Sequence, residues 1–244
     1  MPAAPTLAAL LTALTRDPGR PRLTWYGDGG ERVELSGAVL DNWVSKTANL
    51  LVEELDAGPG TRVLLDLPAH WRTVVWALAV WRVGACVVLP GASGTPADVV
   101  VTDRPQAHAG ARDLLAVALP ALARRVDDLP PGALDAAASV MTYADVVGWA
   151  PATDPSRPAL VDAAGATSHA ALLAAAAATA QTAGLDGTTR GLLTAVPDDP
   201  GTVLRAVLSL LAAGGSAVLV VPGRDATARE RIVSTERVTV DLDG

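Results

Sequence analysis

The 244-residue sequence holds one cysteine, one lysine and no phenylalanine. A lone cysteine, Cys86, excludes an internal disulfide and fits a reducing compartment. Half the chain is hydrophobic and its mean hydropathy is +0.32. Even so, no apolar run reaches the ~18 residues that a membrane-spanning helix needs. The longest run, Ala170 to Ala180, is mostly alanine and suits a buried helix. The opening stretch, "MPAAPTLAALLTALTRD", lacks a basic residue ahead of its apolar run, which a signal peptide would carry. The expectation is a soluble cytoplasmic protein. Basic stripes are also missing, and with a net charge of −7 nucleic-acid binding is excluded. Lys46 stands alone against eighteen arginines, a bias that coding composition explains. It still narrows the chemistry, because arginine does not readily serve as a catalytic base or Schiff-base amine.

What is present is a strand–helix rhythm. A short amphipathic helix is expected over residues 5–15. "RLTWYGDGGERVEL" reads as a hairpin around Gly27-Asp28-Gly29-Gly30. Ser36 then caps a long helix whose apolar positions include Val39, Leu40, Trp43, Val44, Leu50, Leu51 and Leu55, closed by Gly58-Pro59-Gly60. "TRVLLDLP", a helix from His70 to Arg82, "ACVVLP" and "DVVVTDRP" make a β-α-β-β run. That run argues for a mostly parallel sheet flanked by helices. A helix is expected at Leu114–Arg125 and a short one at Tyr143–Trp149. The proline-rich stretch 150–158 is the candidate boundary between two βα lobes. Beyond it the alternation resumes: strand 159–162, helix 168–183, strand 191–196, helix 201–213, strand "SAVLVVP", helix 225–235 and a last strand, "RVTVDL".

The chemistry-bearing residues are sparse. After the strand ending at Asp162, the small-residue loop Ala163–Thr167 is expected to lead into a helix starting at Ser168. A strand, a glycine turn and a helix N-terminus offer amides and a positive dipole end to an anion. Yet Gly165 is the loop's only glycine, where a dinucleotide fingerprint needs three, and the Gly-Lys-Ser/Thr of a P-loop is absent. The local alternative is an ordinary turn with Ser168 as helix cap. His70, His108 and His169 have no metal-ligand neighbour at helical spacing and read as surface or cap residues. Cys86 sits in an apolar strand and reads as inert packing. "GASGT" at 91–95 misses the spacing of a G-x-S-x-G elbow. Trp43, Trp71, Trp76 and Trp81 lie at helical positions and are expected in the core.

Residues 23 to 90, "LTWYGDGGERVELSGAVLDNWVSKTANLLVEELDAGPGTRVLLDLPAHWRTVVWALAVWRVGACVVLP", resemble in register the N-terminal region of adenylate-forming enzymes. That superfamily includes acyl-CoA synthetases, nonribosomal-peptide adenylation domains and luciferases. The resemblance weakens over 91–157. It returns near Asp162 and at "LLTAVPDDPGTVLRAVLSLLAAGGSAVLVV". It implies that residues 1–244 form an acyl-CoA-synthetase-like N-terminal domain fragment. Gly165, Ala166 and Thr167 match part of the family's phosphate loop, and Ser168 and His169 match its Ser-His pair. These five are the candidate ATP- or AMP-binding residues. The loop's Pro-Lys-Gly tail is missing, so the segment reads as the relic of a nucleotide loop. The later segments that hold adenine, ribose and Mg²⁺ have no counterpart, nor does the mobile C-terminal domain with its catalytic lysine. Lys46, on the polar face of an early helix, is no replacement. The expectation is therefore a non-catalytic, truncated relative acting as a binding or partner module, with no catalytic and no metal residues. Uncovered sheet edges point to a homodimer or a protein partner. The alternatives are a weak nucleotide or acyl-adenylate binder, and one half of a split ATP-dependent acyl-adenylate-forming ligase.

Overall fold

The computed structural model describes residues 6–92, 94 and 96–243. Pro5, at the start of the expected first helix, and Ser93 and Thr95 of the "GASGT" stretch lie outside them. Thr6 caps the first helix, its Oγ1 accepting from the Ala9 amide at 3.1 Å, and α1 (Leu7–Leu14) buries its four leucines. Strands β1 (Pro21–Tyr26) and β2 (Arg32–Ser36) form the expected antiparallel hairpin. A single 3₁₀ turn joins them, with Gly29 and Gly30 at φ of 63° and 83°. Ser36 Oγ accepts from the Val39 amide at 3.3 Å and opens α2 (Gly37–Leu55). Then come β3 (Arg62–Asp66), α3 (Trp71–Arg82), β4 (Cys86–Val88) and β5 (Val99–Thr102).

Two expected helices are absent. Residues 113–116 form strand β6 (Asp113–Ala116), paired in parallel with β5 through Val100↔Leu114 and Val101↔Leu115. A strand buried on both faces reads as an unbroken apolar run, so its sequence does not separate it from a helix. Pro120 follows, and Leu122 points into solvent, 92% exposed. Strand β7 (Leu134–Asp135) and the one-turn α4 (Ala136–Ser139) come next. Asp135 caps α4 through bonds from the amides of Ala137 and Ala138. The segment from Tyr143 to Trp149 is an irregular strap rather than a helix. Asn49 of α2 bonds the carbonyls of Ala144 and Val146 and the amide of Gly148, in place of helical i→i−4 bonds.

The rest follows the expected order except for one added strand, β9, where a loop was expected: β8 (Pro158–Asp162), β9 (Gly165–Ser168), α5 (His169–Thr182), β10 (Arg190–Thr194), α6 (Pro200–Ala212), β11 (Ser216–Val220), α7 (Ala226–Glu236) and β12 (Val240–Asp241). The alanine-rich α5 is not fully buried. Its buried residues are His169, Leu172, Ala176 and Ala180, and alanine's high helix propensity sustains the more exposed face. Eight of the ten strand pairings among the described residues are parallel.

Two compact units emerge. The described residues of 1–41, 68–74 and 173–244 form the first, and those of 42–67 and 75–172 the second. The first holds a sheet ordered β12-β10-β11-β1-β2. Leu192, Val218, Val220 and Ile232 cluster in its core. Its buried Glu236 accepts hydrogen bonds from Tyr26 (2.6 Å), Arg32 (2.9 Å) and Arg190. The second unit holds a sheet ordered β7-β6-β5-β3-β4-β8-β9. The 150–158 stretch lies in this second unit. There the indole of buried Trp81 donates to the Ala159 carbonyl at 2.7 Å.

Candidate functional site

Strand β8 runs parallel to β4, with Val87 opposite Leu160 and Val88 opposite Val161. At Asp162 the chain does not open into a loop. It turns through Ala163 and Ala164 and returns as β9, placing Asp162 opposite Gly165, Val161 opposite Ala166 and Leu160 opposite Thr167. Gly165 takes φ 123°, which side-chain-bearing residues rarely adopt, and this allows the tight reversal. Asp162 Oδ1 accepts from the Ala164 amide at 2.8 Å, so a carboxylate sits in the turn.

The helix starts one residue later than expected, at His169, with Ser168 as its cap. Ser168 Oγ accepts from the Ala171 amide at 3.2 Å. The His169 amide donates to the Arg157 carbonyl at 3.0 Å and the Ala170 amide to the Pro155 carbonyl at 2.9 Å. The free amides of a helix N-terminus are what bind an anion. Here three of them already have acceptors within the chain. Residues 162–169 contain neither lysine nor arginine. A phosphate oxygen about 4 Å from a carboxylate is repelled by roughly 4 kcal/mol at an effective dielectric of 20. The five sequence-predicted residues thus lie side by side, four on an edge strand and one at the start of a helix.

His169 is buried, not a surface residue. Its Nε2 lies 3.2 Å from the Gly84 carbonyl. Burial lowers its pKa, outweighing the opposing pull of the Gly84 and Ala85 carbonyls. A neutral imidazole that donates to Gly84 pins the start of α5 to the α3–β4 turn. His70 is buried too. Its Nδ1 accepts from the Arg72 amide at 3.2 Å, so the expected cap role holds. Its ring meets Trp25 edge-on at 4.4 Å. Burial, with a smaller push from Arg72, brings the His70 pKa down to about 3. Cys86 is inert packing, its thiol pushed up to about 11 by burial. Lys46 donates to the Tyr143 carbonyl at 2.6 Å and pairs with Asp145 at 2.7 Å.

Sequence reading missed a polar cluster at the carboxyl ends of β3 and β5, where the strand order of the second sheet reverses direction. Asp66 bonds Arg104 Nη2 and His108 Nε2, each at 2.7 Å, with Thr102 Oγ1 at 3.4 Å. Burial raises the Asp66 pKa, but His108 and Arg104 outweigh it and hold it below the usual carboxylate range. The available signal was an aspartate ending an apolar strand; its partners lie about forty residues on.

Residues 10–127 match the family model described as AMP-binding enzyme. The whole chain is 37% identical, over 242 residues, to a TIGR03089 family protein of Mycobacterium tuberculosis (strain ATCC 25618 / H37Rv), covering 95% of both chains. The chain belongs to the TIGR03089 family. Solved structures of this fold superpose on most of it. An acyl-CoA synthetase of Brucella canis is similar at a TM-score of 0.74 and 20% identity, over 97% of this chain and 46% of that one. A nonribosomal peptide synthetase in its AMPPNP-bound form is similar at 0.70 and 20%, over 98% of this chain and 25% of that one. At these identities the structures establish the α/β fold, and the chain spans less than half the length of either. Among its described residues no helix is long and apolar enough to cross a membrane.

Proposed function

We propose that this chain, whose residues 10–127 match the AMP-binding enzyme model, is a non-catalytic binding or partner module. The observation that carries the reading is the state of the segment Gly165–His169. The amides that would face a phosphate are engaged by Ser168, Arg157 and Pro155. The turn holds the Asp162 carboxylate, with no cation in the segment. Removing one electrostatic stabiliser from an active site typically costs about 3 kcal/mol of barrier, and here the lysine-bearing tail of the loop is missing altogether.

The same segment provides the partner surface. Strand β9 is the outer strand of its sheet, and among the described residues no strand pairs with its other side. Its sequence, Gly-Ala-Thr-Ser, carries none of the charges that usually guard an edge. The outer strand β2 of the other sheet, in contrast, carries Arg32 and Glu34. An uncharged edge accepts a further strand by backbone hydrogen bonding, from a second copy or another protein. Light scattering at micromolar concentration tests this. A dimer, or a captured partner, that disappears in Ala166→Lys supports the reading; a monomer with no partner, before and after the substitution, contradicts it.

The second reading, a weak nucleotide or acyl-adenylate site at Gly165, Ala166, Thr167, Ser168 and His169, draws on the family model and on the neighbour solved with AMPPNP. Calorimetry with ATP, AMP and CoA separates the two. Saturable heat that is lost in Thr167→Ala favours the nucleotide site, and heat of dilution alone favours the module. Pyrophosphate exchange that needs cell extract in addition to this chain marks a split ligase.

A further inference from the structure

The second unit carries a cavity of about 310 Å³ at the C-terminal end of α2, walled in part by Asp56, Gly58, Pro59, Thr61, Trp149 and Pro151. The helix does not close on Gly58 as its sequence suggests. The Asp56 amide bonds the Val52 carbonyl at 3.1 Å and the Ala57 amide bonds the Leu51 carbonyl at 3.0 Å, which puts Asp56 at φ 49°. Glycine or asparagine usually fills that position. A left-handed aspartate is strained, and its charge lies at the negative end of the helix dipole. Among the described residues the Asp56 carboxylate has no hydrogen-bond or ion-pair partner. Two unfavourable local choices thus stand without compensation inside the chain.

The lining also includes an exposed indole. Trp149 is 68% exposed, and its N–H has no acceptor among the described residues. Its strap is held in place by α2, the helix that Asp56 follows. Asn49 bonds Ala144, Val146 and Gly148, and Lys46 bonds Tyr143. The floor is closely fitted as well. A Cβ at Gly58 would lie 2.9 Å from Pro151 Cγ, so only glycine lets Pro151 approach. The strap that carries Trp149 and the turn that carries Asp56 are therefore both tied to one helix, ahead of any ligand.

We propose that this cavity binds a small organic cation, a methylated ammonium or a guanidinium group, held between the indole of Trp149 and the carboxylate of Asp56. A cation over an indole face is attracted by the negative face of the ring, and the positive charge relieves the repulsion at the helix end. Calorimetry on the full chain tests it. The probes are choline for the methylated ammonium, L-argininamide for the guanidinium, and 3,3-dimethylbutan-1-ol as the neutral carbon analogue of choline. Saturable binding of at least one cation is expected, with the neutral alcohol about tenfold weaker or silent. Trp149→Ala and Asp56→Asn should each weaken the cation about tenfold. Asp56→Gly should raise the melting temperature of the free protein, by removing the strain, while abolishing the shift that the cation produces. Absence of binding by both cations, equal binding of the alcohol, or unchanged binding in both variants overturns the proposal.

Discussion

Acidification should destabilise the protein well above the pH at which carboxylates titrate, with His70 as the main cause. The unfolded imidazole titrates near 6.5 and the folded one near 3, because the ring is buried against Trp25 beside Arg72. The folded pKa lies below the unfolded one, so unfolding takes up a proton. The stability His70 contributes is complete above its unfolded pKa and is lost as the pH falls below it. Between pH 7 and pH 5 the linkage integral amounts to about 2 kcal/mol, with uptake of roughly one proton per unfolding event at the lower pH. For a chain of this size that is a drop of about 4–8 °C in melting temperature. His169, also lowered by burial, acts with the same sign. Asp103, raised by burial, acts in the opposite sense. Asp66, Glu236 and Asp243 are all lowered and lose their contributions only at more acidic pH. Urea unfolding followed by tryptophan fluorescence at pH 7 and pH 5 measures the effect. His70→Asn keeps an acceptor for the Arg72 amide and removes the titration, so most of the pH dependence should disappear. A flat wild-type profile, or a full slope retained in His70→Asn, would refute the reasoning.

Two further perturbations are sharp. Glu236→Ala leaves Arg190 with a largely buried charge and should destabilise the first unit by about 3 kcal/mol, read as a lower denaturation midpoint. Glu236→Gln, which keeps most of the hydrogen bonds, should lose less. Ser168→Ala removes the cap of α5 and should cost about 1 kcal/mol by denaturant titration. It should leave calorimetric traces with ATP no different from wild type.

Local signals carried much of the fold. The Ser36 cap, the glycines of the first hairpin and the helical spacing of Trp71, Val74, Val75, Leu78 and Trp81 each act within a few residues, and each element lies where those signals put it. Strand β6 escaped because Leu114, Leu115 and Ala116 are apolar on both faces, and only its pairing with β5 decides between strand and helix. Strand β9 escaped for a different reason. Gly-Ala-Thr-Ser has little strand propensity of its own, and the backbone of β8 imposes the extended form. The geometry of the candidate segment was not legible in the sequence: the carbonyls of Pro155 and Arg157 that occupy the helix amides come from a stretch that reads as a linker. The cluster of Asp66, Arg104 and His108 had no local signature at all, since topology alone brings its members together.

The proposed loss of adenylation is tested most directly by incubating the purified chain with ATP, Mg²⁺ and a panel of carboxylic acids and assaying AMP. No AMP above the protein-free blank is the expected result. Turnover that is abolished in Thr167→Ala or Ser168→Ala would contradict it, because it would show that phosphates are held and split at a helix start whose amides are already engaged.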